Sequence, residues 1–480
     1  MKKVAFIGID GADINILREL SAIGHLSSPV VDDLRPINLN SLDRGWATIF
    51  TGKDASYNNG FYWRIDNKTY SLTEIFNANM YTSSPIWNDL GSASKLVGLI
   101  GIPTISPISP LNGIAIAAGG GGVNMADSVM CYPAELASLL KENEYVFDLR
   151  FSDFVGKKAV HFVQKLRSVE EKRFAIFKIL FKRYPDIVFW AMIFMGADRI
   201  QHFFWDRIIY LMKNSEYRDS LDKAIIDYYK FVFNVVAELV EMFAPGTVVI
   251  GSDHGFAGYT RNVHILNILA DAGLVSLRKI SLKSQLKKTV IRLLPDSIKP
   301  RMRIIQKKIS MQGVWKLSAP ECEWGKSLVV PFKGLNGIYL NTYKNFSSGI
   351  IDEQQASVVL EKTKNVLSSI LDPESGHPLF INIQFREEVY SGPQKDNAPD
   401  IIFDLPKGYM ISSEVSSSGN YVTQHRTHST KPNHMPGQGH IGIHSVPACY
   451  GVYENGSVVK KNLSNLSELH KILYNNCMAY

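Results

Sequence analysis

The first 275 residues repeat one pattern: a short apolar run, a turn, then a longer stretch with helical spacing. Residues 4–9, 96–102, 187–195 and 247–251 are compact, rich in β-branched or aromatic side chains, and bounded by Gly, Asp or Pro. Amphipathic stretches such as residues 133–140 and 221–243 lie between them. Strands that alternate with helices predict an α/β fold, a mainly parallel central sheet sandwiched by helices. In such a sheet the ligand site gathers beyond the carboxyl ends of the strands, so the residues that follow each run carry the argument about function.

Three of the four runs end in acidic or histidine-bearing turns. Residues 4–9 lead into Asp10-Gly11, residues 187–195 into Gly196-Ala197-Asp198 with His202 four positions on, and residues 247–251 into Ser252-Asp253-His254-Gly255. One acid after a strand is ordinarily a helix N-cap. Three carboxylates and two imidazoles at one sheet edge would repel one another or stay poorly solvated unless cations held them. Mixed Asp/His donors suit zinc, with manganese the alternative. A late stretch adds five of the chain's twelve histidines within twenty residues: His425, His428, His434, His440 and His444. At least one of them is expected to complete the ligand set.

The 480 residues are 45% hydrophobic and 20% charged, a globular composition that excludes disordered and fibrous classes. Cys131, Cys322, Cys449 and Cys477 form no CxxC pair, so neither a disulfide framework nor a Cys-ligated zinc is expected. The apolar run after Met-Lys-Lys is too short for a signal-peptide core, and no apolar stretch approaches the ~20 residues of a spanning helix. The expected address is cytoplasmic. Residues 278–308 hold eleven Lys or Arg and one acid, leaving 41 basic and 44 acidic residues elsewhere. This basic amphipathic segment reads either as a solvated insertion or as a peripheral contact with an anionic membrane or polyanion. Sequence-specific nucleic-acid binding is not expected.

The stretches VAFIGIDGAD, RGWATIFTGKDASYNNGFYW, GADRIQHFFW, IGSDHGF and NHMPG, with GIYLN and APDIIF, resemble the alkaline phosphatase superfamily. Within it they resemble the type I phosphodiesterase/nucleotide pyrophosphatase branch, over nearly the whole chain. The resemblance implies an alkaline phosphatase-like fold with a cap, and two metal ions flanking a Ser or Thr nucleophile. Carried over by position, Asp10, Asp253, His254 and the nucleophile hold one metal. Asp198, His202 and a late histidine hold the other, with His434 preferred and His440 the alternative.

The nucleophile loop departs from the pattern. Trp46 and Thr51-Gly52 fit a Ser/Thr-x-Pro-x-Trp motif, yet the position four before Trp46 is Leu42. Ser41 fits if one residue is inserted, Thr48 is the second candidate, and Thr51 is expected to cap the next helix. Arg64 falls near the place where relatives bind phosphate, and could do so bidentately or form a surface salt bridge. No sulfatase-type Cys-x-Pro-Ser-Arg motif occurs, and the Asp-x-Asp of haloacid-dehalogenase phosphatases is missing. The resulting expectation is a hydrolase cleaving phosphodiester or pyrophosphate bonds of a small nucleotide, lipid or sugar ester. A phosphomonoesterase, a phosphotransferase and a non-catalytic anion-binding member are the alternatives. The expected division is a core over residues 1–275, an insertion over 276–330, and a C-terminal part over 331–480 that completes the core and supplies the last metal ligand.

Overall fold

The central sheet builds outward from its first strand. The computed structural model describes residues 2–62, 64–73, 76–119, 130–149, 154, 157–278, 322–332, 334–412, 414–425 and 442–480. Val4–Ile9 is buried along its whole length, between Phe189–Phe194 and Thr247–Gly251, both parallel to it. A strand paired on both edges and covered on both faces has no solvent side, which is why VAFIGI carries no polar side chain. Alternate residues point to opposite faces. Ala5, Ile7 and Ile9 enter one apolar cluster, Val4 and Phe6 another.

The nine-stranded sheet runs Arg35–Ile37, Ala448–Glu454, Thr247–Gly251, Val4–Ile9, Phe189–Phe194, Val97–Ile102, Gly113–Ala117 and Cys131–Tyr132, with Ser457–Val458 beside Ala448–Glu454. From Thr247–Gly251 to Gly113–Ala117 the strands are parallel, while Ala448–Glu454 and Cys131–Tyr132 run antiparallel to their neighbours. Helices Ile14–Ala22, Ala159–Arg183, Gly196–Leu211 and Ser220–Met242 cover one face. Helices Gly45–Thr51, Ile86–Ser92 and Glu468–Ala479 cover the other. The expected α/β sandwich is therefore present. The 25-residue helix Ala159–Arg183 was not among the stretches read from the sequence; it buries Phe162, Leu166, Phe177 and Leu180 on one side.

Two compact units divide the chain. Residues 1–60, 76–258 and 428–480 form the first, and residues 61–75 and 259–427 the second. The first is the sheet just described, closed by the C-terminal strands and helix. Positions 275 and 331, where the sequence reading divides the chain, both fall within the second unit. Of the basic segment 278–308, only Arg278 is among the described residues.

The second unit carries an antiparallel sheet of Val329–Pro331, Gly337–Leu340, Ile401–Asp404 and Ile381–Phe385, with helix Glu353–Ser369 in the same apolar cluster. Two residues of the family-like stretches are structural here. The buried Asn341 amide donates to the Trp324 and Ser327 carbonyls, each at 2.8 Å, and accepts from the Tyr70 hydroxyl at 2.8 Å. Asp400 accepts the Leu340 N–H at 2.7 Å and pairs with Arg386 at 3.1 Å. No helix among the described residues is long and apolar enough to cross a membrane.

Candidate metal centre

Register places the site. Ile9 pairs with Phe194 and Gly8 with Gly251, so three parallel strands end level and deliver Asp10, residues 196–198 and residues 252–254 to one edge. Gly11 turns the chain there at φ +68°, a left-handed conformation that a side chain resists. Gly45 opens the helix Gly45–Thr51 directly against Asp253: a Cβ at Gly45 would stand 2.0 Å from the Asp253 carbonyl oxygen. Any larger residue would push that helix off the site.

The three acids share one arrangement. Asp10 accepts the Trp46 indole N–H on Oδ2 at 3.0 Å and turns Oδ1 toward His254 Nε2, 3.7 Å away. Asp253 accepts the Gly11 N–H on Oδ1 at 3.2 Å and turns Oδ2 toward the same nitrogen at 3.5 Å. Asp198 meets Arg199 Nη1 through Oδ2 at 3.3 Å and points Oδ1 at His202 Nε2 and His444 Nε2, each at 3.2 Å. Each carboxylate thus commits one oxygen to a protein donor and leaves the other for the cluster. The imidazoles follow suit. His254 donates Nδ1–H to the Gly255 carbonyl at 3.0 Å and His202 donates Nδ1–H to the Gly442 carbonyl at 2.8 Å, which leaves both Nε2 atoms facing inward.

Two candidate ligand groups result, Asp10 with Asp253 and His254, and Asp198 with His254 and His444. His202 joins the second, its Nε2 lying 3.0 Å from His444 Nε2. Donors about 2.0–2.2 Å from a tetrahedral ion stand roughly 3.3–3.6 Å apart. The contacts here, from 3.0 Å between His202 and His444 to 3.9 Å between His254 and Asp198, bracket that spacing. The donor set fits zinc or manganese.

The electrostatics point the same way. Burial, then repulsion from Asp253 and Asp198, hold the Asp10 carboxyl well above its usual range. Burial with the nearby Asp198 charge pushes Asp253 up to about 8, against the Gly11 N–H that favours its anion. Asp198 differs: burial opposes its ionisation, but His202 and His444 together hold it well below the usual carboxylate value. The sign for Asp253 is direct. Between its ordinary value of 3.8 and about 8 the metal-free fold retains a proton that the unfolded chain releases, so this group destabilises the metal-free fold as pH rises through that window. A divalent cation must displace that proton. Zinc binding at pH 7, followed by calorimetry in buffers of differing ionisation enthalpy, is expected to release close to one proton from this group, with the release fading above about pH 8. Heats independent of buffer would refute it.

The structure brings Asp10, Asp198, His202, Asp253 and His254 together. The late histidine that it places there is His444, carried on Gly442–Ser445, which pairs antiparallel with Gly255–Gly258 and sets His444 opposite Phe256. His434 and His440 lie outside the described residues. Ser41 is exposed in the turn before the helix Gly45–Thr51. Thr48 is 1% exposed, and its hydroxyl has no hydrogen-bond partner among the described residues. It follows Trp46 by two positions, about 200° around a helix of 3.6 residues per turn. It also follows Gly45, which rests on Asp253, by three positions, so Thr48 lies one turn further along the face that carries Gly45. Thr51 does not cap the next helix: its hydroxyl donates to the Ala47 carbonyl at 2.7 Å, and Asp54 caps Ala55–Asn58. An i−4 carbonyl was in reach, so the hydroxyl turned back along its own helix. Arg64 begins the strand Arg64–Asp66 of the second unit, and its side chain lies outside what the structure describes. Sequence reading missed Trp46 as the donor to Asp10, and Arg199 with its partner Asp148 at 2.7 Å. Both stand in quoted motifs, Arg199 directly after Asp198, but a pairing with Asp148, 51 residues away, leaves no mark in spacing.

An alkaline phosphatase-like α/β fold with a carboxylate–imidazole cluster at its strand ends is the class that these features define. The chain belongs to the type I phosphodiesterase/nucleotide pyrophosphatase family, whose sequence profile matches residues 4–431. Among solved structures it is similar to phosphonoacetate hydrolase from Sinorhizobium meliloti 1021. The complex with phosphonoacetate gives a TM-score of 0.57 at 9% identity, and the complex with phosphonoformate 0.55 at 9%; both cover 99% of this chain and 96% of that one. Human ectonucleotide pyrophosphatase/phosphodiesterase 5 gives 0.47 at 11% identity, covering 99% and 95%. At such identities the hydrolase likeness speaks to the fold alone. No curated protein matches the sequence. Family membership supports hydrolase activity of the phosphodiesterase/pyrophosphatase type.

Proposed function

We propose that the protein hydrolyses phosphodiester or pyrophosphate bonds with two divalent cations, zinc or manganese, held at the strand-end cluster. The observation that carries this reading is the pair of ligand groups that share His254. When bound, such cations supply charge that stabilises phosphoryl and leaving oxygens as the bond breaks. The protein's own part is placement. Trp46, Gly11 and Arg199 each fix one oxygen of a ligand acid, so the other oxygen needs no reorganisation during the reaction.

Ser41 is the proposed nucleophile. It is exposed and precedes the helix whose first residue rests on Asp253, whereas Thr48 is buried within that helix. Its oxygen forms a bond to phosphorus as the ester P–O bond breaks. The serine proton leaves to solvent, the departing oxygen takes one up, and water then cleaves the phosphoseryl bond. A second reading rests on the buried Leu42 at the position four before Trp46. There water attacks phosphorus directly and no covalent intermediate forms.

Substrate class is tested by comparing an aryl phosphodiester with the matching aryl monoester, with zinc or manganese supplied. At least a tenfold advantage of the diester in kcat/KM is expected, about 1.4 kcal/mol of transition-state preference. Preference for the monoester would replace this reading with that of a phosphomonoesterase.

A further inference from the structure

The helix Gly196–Leu211 carries Asp198 and His202, yet it begins without a side-chain cap of its own. Its N-cap residue is Met195, so Gly196, Ala197 and Asp198 occupy the first three helical positions. The third is the position from which an acidic or amide side chain reaches back to the N-cap N–H in a capping box. Asp198 does not do this; it faces His202 and His444. The Met195 N–H instead donates to Glu170 Oε1 at 2.7 Å, and the Gly196 N–H donates to the same oxygen at 3.2 Å. Glu170 comes from the preceding helix Ala159–Arg183 and is 2% exposed. Its other oxygen pairs with Arg173, which also donates to the Ile193 carbonyl at 3.1 Å and the Phe147 carbonyl at 3.2 Å.

We propose that Glu170 is a positioning residue for the metal centre: by capping the ligand helix from outside, it occupies the donor that Asp198 would otherwise take and releases Asp198 for metal. The inference rests on the metal-dependent reading above. Buried N–H groups do not stay unpaired, because leaving one so costs roughly 1–3 kcal/mol. Without Glu170, Asp198 is the carboxylate placed to satisfy the Met195 N–H, and it then turns away from His202 and His444. Gly196 fits the same design. A Cβ there would lie 2.5 Å from the Tyr228 hydroxyl, so the turn between Glu170 and Asp198 has little room to shift.

Two double variants isolate the cap. Glu170→Leu with Arg173→Met removes the buried ion pair and the acceptor together, and apolar replacement of a whole buried pair is often tolerated. Glu170→Gln with Arg173→Met removes the same charges but keeps a carbonyl acceptor for the Met195 N–H. Metal-stripped proteins are titrated with Zn2+ alone by calorimetry, with thermal unfolding of each recorded. The wild type is expected to bind two equivalents. The Leu/Met variant is expected to hold one at native affinity and the other about 10–100-fold more weakly, as for loss of an outer partner of a metal ligand. The Gln/Met variant is expected to recover the second equivalent to within about threefold, a margin below the tenfold scale of the loss itself. Native affinity for both equivalents in the Leu/Met variant would overturn the inference, as would a Gln/Met variant as weak as the Leu/Met one. A wild type that takes up no zinc would instead sink the metal reading itself.

Discussion

Replacement of Asp253 by alanine is expected to strip the first ligand group of its cation and to lower turnover by ~10^3-fold or more. Two effects add. The substitution removes one of two anionic donors from a group otherwise left with Asp10 and His254. It also deprives the Gly11 N–H, 3.2 Å from Asp253 Oδ1, of its acceptor at the turn that presents Asp10. Lewis-acid stabilisation of several kcal/mol is lost with the cation, and about 4 kcal/mol corresponds to the rate loss stated. Misfolding would give the same kinetic result, so a second readout is needed. Asp253 is buried with its pKa pushed up to about 8, and its charge destabilises the metal-free fold near and above that pH. The metal-free alanine variant should therefore unfold at a higher temperature, relative to metal-free wild type, at pH 8.5 than at pH 5.5. Full zinc retention with unchanged turnover would remove Asp253 from the centre.

Replacement of Ser41 by alanine is expected to leave zinc content and thermal stability unchanged while activity falls by about 10^3-fold or more, deletion of a covalent nucleophile costing up to about 10^6-fold in serine proteases. Ser41 is exposed in a turn, where substitutions ordinarily shift stability by no more than about 0.5 kcal/mol. Thr48→Ala is the matched control. The Thr48 hydroxyl has no hydrogen-bond partner among the described residues to lose, so that variant should retain activity within a few-fold. If Thr48→Ala is the inactive one, the choice of Ser41 over Thr48 is wrong. If both variants stay active, direct attack by water is favoured, and the buried Leu42 is simply what stands where relatives carry a hydroxyl.

The parts of the centre that were legible are those carried by local order. Asp10, Asp198 and Asp253 each follow a parallel strand, and parallel strands of one sheet end at one edge, so reading the strands was enough to group the acids. His444 was not singled out because its place depends on Gly442–Ser445 returning to pair with Gly255–Gly258, nearly two hundred residues earlier. No periodicity records such a pairing. The same holds for Trp46 and Glu170, which meet Asp10 and the Met195 N–H across 36 and 25 residues. The boundary of the second unit was hidden for a related reason. Residues 61–75 belong with residues 259–427 through contacts distant in sequence, including the Tyr70 hydroxyl on Asn341. Thr51 illustrates the opposite case, a local competition in which Asp54 caps the next helix and the Thr51 hydroxyl bonds the i−4 carbonyl of its own.

Metal content of the purified protein tests the central claim most directly. After stripping and reconstitution with zinc or with manganese, the bound metal is quantified per chain at pH 8, where about half of Asp253 has already given up its proton. The account predicts two ions per chain, with phosphodiester turnover that rises with occupancy and disappears on chelation. Fewer than one ion per chain under both metals would contradict it.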